Sequence, residues 1–148
     1  MMLTKDFALS EFVSSDTATR HEIDNTPPPM VLATLTNVLI PKMQAVRDLL
    51  GVSVIVKSGY RCPALNTLVR GSPTSDHVTG NAADFVAPRF GTPRRVCEWL
   101  MQHASTLQYD QLIYEVGWVH VSFSARQRNQ VLTAHFAGGR VTYTRGLA

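Results

Sequence analysis

The segment S-D-H-V-T-G-N-A-A-D, residues 75–84, sets a histidine and an aspartate seven positions apart across a Gly-Asn turn. A surface loop needs neither. Farther along, W-V-H-V-S-F at 118–123 reads as a strand. Strand side chains alternate, so Val119, Val121 and Phe123 face a core while Trp118, His120 and Ser122 share the other face. Zinc accepts imidazole nitrogen and carboxylate oxygen, and a catalytic zinc site uses three protein ligands with one position left for water. His77, Asp84 and His120 supply such a set for one Zn2+ per chain. Gly80 gives the turn a permissive backbone that lets His77 and Asp84 meet. Ala82 and Ala83 leave room beside the ligands, and His120 arrives from a neighbouring strand. At 148 residues the chain can bury a core without a metal staple. A metal here is therefore expected to be catalytic rather than structural.

Those ligands need elements to hold them. Residues 1–29 read as an irregular polar arm with a short helix around Leu9–Val13, then a loop, T-A-T-R-H-E-I-D-N-T-P-P-P, closed by three prolines. The core is expected over 30–148, the whole chain 1–148 forming one domain. Leu32, Leu35, Leu39, Met43, Val46 and Leu50 make one stripe of a core helix. Pro41 should kink it and Gly51 should cap its end. V-S-V-I-V-K-S is strand-like, P-A-L-N-T-L-V-R is a short helix opened by proline, and A-A-D-F-V-A is a short strand. T-P-R-R-V-C-E-W-L-M-Q-H-A is a threonine-capped helix with Val96, Trp99, Leu100 and His103 on one stripe, which makes Trp99 a core residue. D-Q-L-I-Y-E, W-V-H-V-S-F, V-L-T-A-H-F and R-V-T-Y-T follow as strands. Helices early and strands late predict an α+β fold: an antiparallel sheet, helices packed on one side, and the metal site in a loop cleft at the sheet edge.

Composition narrows the partners. Lys plus Arg number 14 against 11 Asp plus Glu, a net charge of +3. This favours an anionic polymer weakly, and the charges are too dispersed for nucleic acid. The start, M-M-L-T-K-D-F-A-L-S-E-F, lacks the apolar segment of a signal peptide, so synthesis in the cytoplasm is expected. No stretch approaches the ~20 apolar residues of a membrane span. Cys62 and Cys97 form no C-x-x-C pair; free thiols are the plain reading, and one disulfide stays open. His21, His103 and His135 fall in no comparable pattern and read as structural or surface residues.

The pattern S-x-H-x-x-G-x-A-x-D followed by W-x-H resembles the zinc D-alanyl-D-alanine carboxypeptidase family, which includes phage endolysins cutting L-alanyl-D-glutamate bonds. Ser75, His77, Gly80, Ala82, Asp84, Trp118 and His120 carry the match. S-G-Y-R-C-P-A-L-N, residues 58–66, is similar to the family's S-G-Y-R-S-P-x-x-N segment, so the resemblance runs from about residue 30 to about 125. It implies that His77, Asp84 and His120 bind zinc and that Arg61 steadies the substrate carbonyl and its developing oxyanion. A fixed cation suits charge that appears only in the transition state. Ser75, Tyr60 and Trp118 are the candidates for substrate contact, although Ser75 could brace its loop and Tyr60 could pack.

The general base departs from the family pattern. Members commonly carry an acidic residue three positions before the last histidine, where this chain has Gly117. Glu115 is the nearest carboxylate, five positions before His120, and an odd offset in one strand would put it on the opposite face. A bulge at Gly117 would restore it. Glu115 is the expected base, with Asp110 next. The reading is a zinc metallopeptidase acting on peptidoglycan stem peptides. An endolysin-type L-alanyl-D-glutamate endopeptidase is favoured over a D-alanyl-D-alanine carboxypeptidase, because no second cation is evident for a terminal carboxylate. A zinc-bearing wall-binding or phage structural domain is the non-enzymatic alternative. A monomer acting on the wall after holin-type release, with no nucleic-acid partner, completes the expectation.

Overall fold

The helical stripe at residues 30–50 builds the floor of the structure. The computed structural model describes residues 1–147, and in it the helix runs as α3 (Pro29–Thr34), a π turn (Leu35–Leu39) and α4 (Ile40–Leu50). Leu35, Leu39, Met43, Val46 and Leu50 are buried as the stripe requires, whereas Leu32 is exposed. Proline inside a helix lacks a donor and crowds the preceding turn. Here the turn before Pro41 widens, with the Ile40 N–H bonding the Leu35 carbonyl five residues back. The helix ends at Gly51 in the left-handed conformation.

The N-terminal arm is more ordered than its polarity predicts. It carries α1 (Ser10–Val13) and α2 (Asp16–Arg20), so T-A-T-R is helix and not loop. Ser15 caps α2 by accepting from the Ala18 N–H. Phe7 and Phe12 enter the core as an edge-on pair 5.4 Å apart. The arm is then tied down by Asn25, whose amide donates to the Val13 and Tyr60 carbonyls and whose oxygen accepts from the Cys62 N–H.

After β1 (Ile55–Ser58) and α5 (Pro63–Leu68), β2 (Ala82–Val86) leads into α6 (Pro93–Met101) and α7 (Ala104–Leu107). Thr92 caps α6 as expected. Trp99, however, is 36% exposed. Its ring lies over His103 at 4.7 Å, and its N–H reaches the Leu49 carbonyl, so it seals the α4–α6 seam from outside. Strands β3 (Gln111–Tyr114), β4 (Val119–Ser122), β5 (Gln130–Ala137) and β6 (Arg140–Arg145) complete a six-stranded sheet of order β1-β2-β4-β3-β5-β6.

The sheet is mixed, which corrects the expected antiparallel one. β5 pairs parallel to β3 while every other pair is antiparallel. Strands consecutive in sequence are usually neighbours, but β5 passes over β3 instead of pairing with β4. The turn that makes this hop winds around Asp110, which is fully buried. Arg128 donates to Asp110 from its backbone N–H and its guanidinium, at 2.8–3.0 Å, and Ser124 donates at 2.9 Å. Arg126 bridges Asp110 to Asp76, in the loop before His77.

One sheet face packs Ala83, Phe85, Leu112, Val119, Val121 and Phe123 into the hydrophobic core. The opposite face carries Asp84 and His120. Both sit on interior strands, β2 and β4, so the polar cluster lies on the sheet face and not at the expected sheet edge.

Candidate metal centre

Asp84 and His120 are direct cross-strand partners on β2 and β4, so their side chains emerge side by side on one face. The His120 Nδ1 lies 2.9 Å from Asp84 Oδ1. His77 arrives from the loop before β2, its Nε2 3.2 Å from the same oxygen. The two imidazole rings stand edge to face at 5.1 Å. One ligand atom from each of the three residues falls within 4.8 Å of the others. Gly80, at φ +79°, turns the chain back between His77 and β2.

The donor set fits a cation. His77 Nδ1 is 2.7 Å from the Gly59 carbonyl, which can only accept. That bond holds the ring proton on Nδ1 and leaves a lone pair on Nε2. Burial pushes His77 below its ordinary pKa despite the pull of Asp84, so the ring is neutral at neutral pH. Burial by itself would raise the Asp84 carboxyl, but with His77 neutral the bond and charge of His120, whose own pKa is raised, hold it well below the carboxylate range. A lone pair and an ionised oxygen thus face one another at 3.2 Å in a buried site. A metal ion is what such a pair of acceptors takes, and the carbonyl behind His77 is the usual orienting partner of a metal-ligating imidazole.

The S-G-Y-R segment positions both His77 and Arg61. A Cβ at Gly59 would lie 2.4 Å from the Phe12 carbonyl oxygen, so only glycine lets α1 approach. That same carbonyl accepts from the Tyr60 N–H, and the Arg61 N–H in turn bonds the His77 carbonyl. The Arg61 guanidinium donates to Ser58 Oγ at 3.1 Å, Asn66 Oδ1 at 3.3 Å and Asp84 Oδ2 at 3.3 Å. Asn66, buried on α5, also donates to the Ser72 carbonyl. Its orienting role went unassigned in the sequence, although it closes the S-G-Y-R-C-P-A-L-N segment. Ser75 accepts from the His77 N–H at 3.2 Å and so braces the loop. Tyr60 is 4% exposed and packs in the core, away from the role of substrate contact.

Glu115 comes to the same sheet face as His120 without the bulge invoked for it. Residues 115 to 118 form the turn between β3 and β4, with the Glu115 N–H bonded to the Trp118 carbonyl. Glu115 is therefore the cross-strand partner of Trp118, not a member of its strand. Cross-strand partners share a face, which puts Glu115 beside Trp118 and His120. The Trp118 indole donates to Glu115 Oε2 at 2.9 Å. The positive φ falls on Val116, at 66°, and not on Gly117. The Gly117 N–H bonds the Glu115 carbonyl at 2.7 Å, a strained γ-turn for a β-branched residue. Burial and the nearby Asp84 charge raise the Glu115 pKa above its ordinary value.

Asp110 does not serve as the alternative base. It lies at the far end of β3 from Glu115, enclosed by Arg126, Arg128 and Ser124. Bonds from Arg128 hold its carboxyl far below the ordinary range. Its folded pKa lies under its unfolded one, so its contribution to stability is complete above the ordinary value of ~3.9 and is lost as pH falls through the folded value. Asp110→Asn is expected to lower stability at pH 7 by about 3 kcal/mol, or roughly 8 °C in Tm. In thermal melts the gap to wild type should narrow below about pH 4; a gap that persists unchanged to pH 2 would rule out this linkage.

Cys62 and Cys97 are both free, and burial pushes the Cys97 thiol up to about 12. Among the described residues no helix is long and apolar enough to cross a membrane. The family model described as Peptidase M15 matches residues 5–122, which contain Arg61, His77, Asp84, Glu115 and His120. No curated protein matches the sequence significantly.

Proposed function

Because the chain belongs to the peptidase M15 family, whose members are zinc-dependent metallopeptidases, we propose that it hydrolyses a peptide bond in the stem peptides of peptidoglycan, as an endolysin-type L-alanyl-D-glutamate endopeptidase. The observation that carries this reading is Glu115 standing on the same sheet face as the His77–Asp84–His120 cluster. A wall-binding domain that does not cut would have no use for a half-buried carboxylate of raised pKa there.

His77, Asp84 and His120 would hold the zinc ion. When bound, zinc supplies Lewis acidity, polarising a carbonyl and making water a better nucleophile at neutral pH. Glu115 takes the proton from the attacking water and returns it to the departing amine. Arg61 is the fixed cation for the carbonyl oxygen as it gains charge. Of its five N–H donors, three are engaged by Ser58, Asn66 and Asp84, and two remain. Trp118 fixes one oxygen of Glu115 and borders the cleft.

The endopeptidase reading is preferred to a carboxypeptidase on distance. A carboxypeptidase needs a cation for the terminal carboxylate. The next arginine on this face, Arg145, stands three strands from His120, about 14 Å at the spacing of a sheet. A terminal carboxylate lies only one residue, about 3.5 Å, beyond its scissile bond. The protein is read as a monomer that meets the wall after release from the cytoplasm.

Digestion of purified peptidoglycan, with products identified by mass spectrometry, tests the reading. New ends between L-alanine and D-glutamate are expected. Loss of terminal D-alanine alone would move the assignment to the carboxypeptidase, and an undigested wall that still binds the protein would move it to the non-enzymatic class.

A further inference from the structure

The C-terminal hairpin of β5 and β6 lies beyond the residues that match the family model, yet it continues the sheet face that holds the site. The register shows how. Tyr114 is beside Thr133 in the parallel β3–β5 pair, which sets Glu115 beside Ala134, and Ala134 faces Tyr143 on β6. One row across four strands therefore reads Trp118, Glu115, Ala134, Tyr143. Residues two positions on along the hairpin, Phe136 and Val141, are partners on the same face. Ala134, between Glu115 and Tyr143 in this row, is small and buried.

This end of the face is apolar and uncovered. Phe136 is 54% exposed, Tyr143 50% and Val141 42%. The Phe136 and Trp118 rings lie 6.1 Å apart, tilted at 48°. The other face of β6 carries Thr142 and Thr144, the latter bonded to His135, so the apolar residues are confined to the side of the site. Burial and the charges of Glu115 and Asp84 raise the Tyr143 pKa, which agrees with a phenol directed toward them.

We propose that Trp118, Phe136 and Tyr143 form a substrate subsite that takes a pyranose ring of the glycan to which the stem peptide is joined. The inference rests on the peptidoglycan reading above. An open surface of exposed aromatic rings beside the Tyr143 hydroxyl matches the C–H face and hydroxyl rim of a sugar, whereas an apolar side chain calls for a pit. The distance agrees too. Tyr143 stands two strands from Glu115, about 10 Å, and in the proposed substrate a single alanine separates the cut bond from the amino sugar. The hairpin would then select glycan-attached peptides over free ones.

The test compares a disaccharide-bearing muropeptide with the same peptide freed of its sugar. Wild type should favour the glycosylated substrate in kcat/KM by about tenfold. Phe136→Ala and Tyr143→Ala should bring that ratio toward one, while Tyr143→Phe, which keeps the ring, should retain most of it. Equal ratios in wild type and both alanine variants overturn the proposal. A second readout does not require cleavage: wall glycan stripped of peptide should shift the NMR peak of the Trp118 indole N–H, distinguished from that of Trp99 with a Trp99→Phe protein. A shift without hydrolysis of either substrate would keep the sugar site and refute the peptidase reading. No shift at millimolar glycan, or a shift that depends on protein concentration alone, would refute the sugar site, the latter by marking the platform as a contact between copies.

Discussion

Glu115→Gln protein is expected to lose between about 10²- and 10⁴-fold in kcat on stem-peptide substrate, the range for removing a general base. The loss should appear in kcat and kcat/KM together, because the proton is moved only in the transition state. Glutamine is nearly isosteric and keeps an oxygen to accept from the Trp118 indole, now 2.9 Å from Glu115 Oε2. The strained turn at Val116 and the cross-strand row should therefore survive, and zinc content should match wild type. What disappears is the ability to take a proton. Steady-state kinetics with metal analysis of the same samples checks this. Activity within tenfold of wild type would remove Glu115 from the mechanism, and with Asp110 enclosed by arginines neither carboxylate considered as the base would remain.

Glu115 also marks where the sequence is legible and where it stops being so. The local signals were sound. Alternation in W-V-H-V-S-F placed Val119 and Val121 in the core and His120 opposite. The Gly80 turn brought His77 back to Asp84, and proline and threonine marked the starts of α5 and α6. Each depends on residues within one element. Errors began where two elements meet. The face of Glu115 followed from parity only if Glu115 and His120 shared a strand; a turn at 116–117 reversed the answer. The parallel β3–β5 pair arose from a loop wound around Asp110, whose arginine partners lie 16 and 18 residues away. Such pairings leave no periodic trace in a single chain. Trp99 shows the same limit in burial: on an apolar stripe, it closed a seam at the surface.

The largest effect should come from Asp84. Its Oδ1 is the point on which both imidazoles converge, and its Oδ2 holds Arg61 at 3.3 Å. Asp84→Asn is expected to reduce activity by about 10³-fold or more, since the variant loses the several kcal/mol of charge stabilisation that a metal supplies. Thermal melts should separate this from damage to the fold. With zinc at about 1,000 times its Kd, wild type gains about 4 kcal/mol, or roughly 10 °C in Tm for a domain of this size. The variant should gain almost nothing. Without metal the order should not follow the usual cost of breaking a buried ion pair. In zinc-free wild type the His77 lone pair faces an ionised oxygen. An asparagine can turn its oxygen toward Arg61 and its NH₂ toward the rings, one N–H to the His77 lone pair and the other to His120 Nδ1 once that ring carries its proton on Nε2, satisfying all three with no cation present. Zinc-free Asp84→Asn should therefore melt no lower than zinc-free wild type. A zinc shift that survives in the variant would show that Asp84 is not a ligand. A variant that melts well below zinc-free wild type would show that the three side chains are held together by their own ion pairs, and are not arranged around an ion.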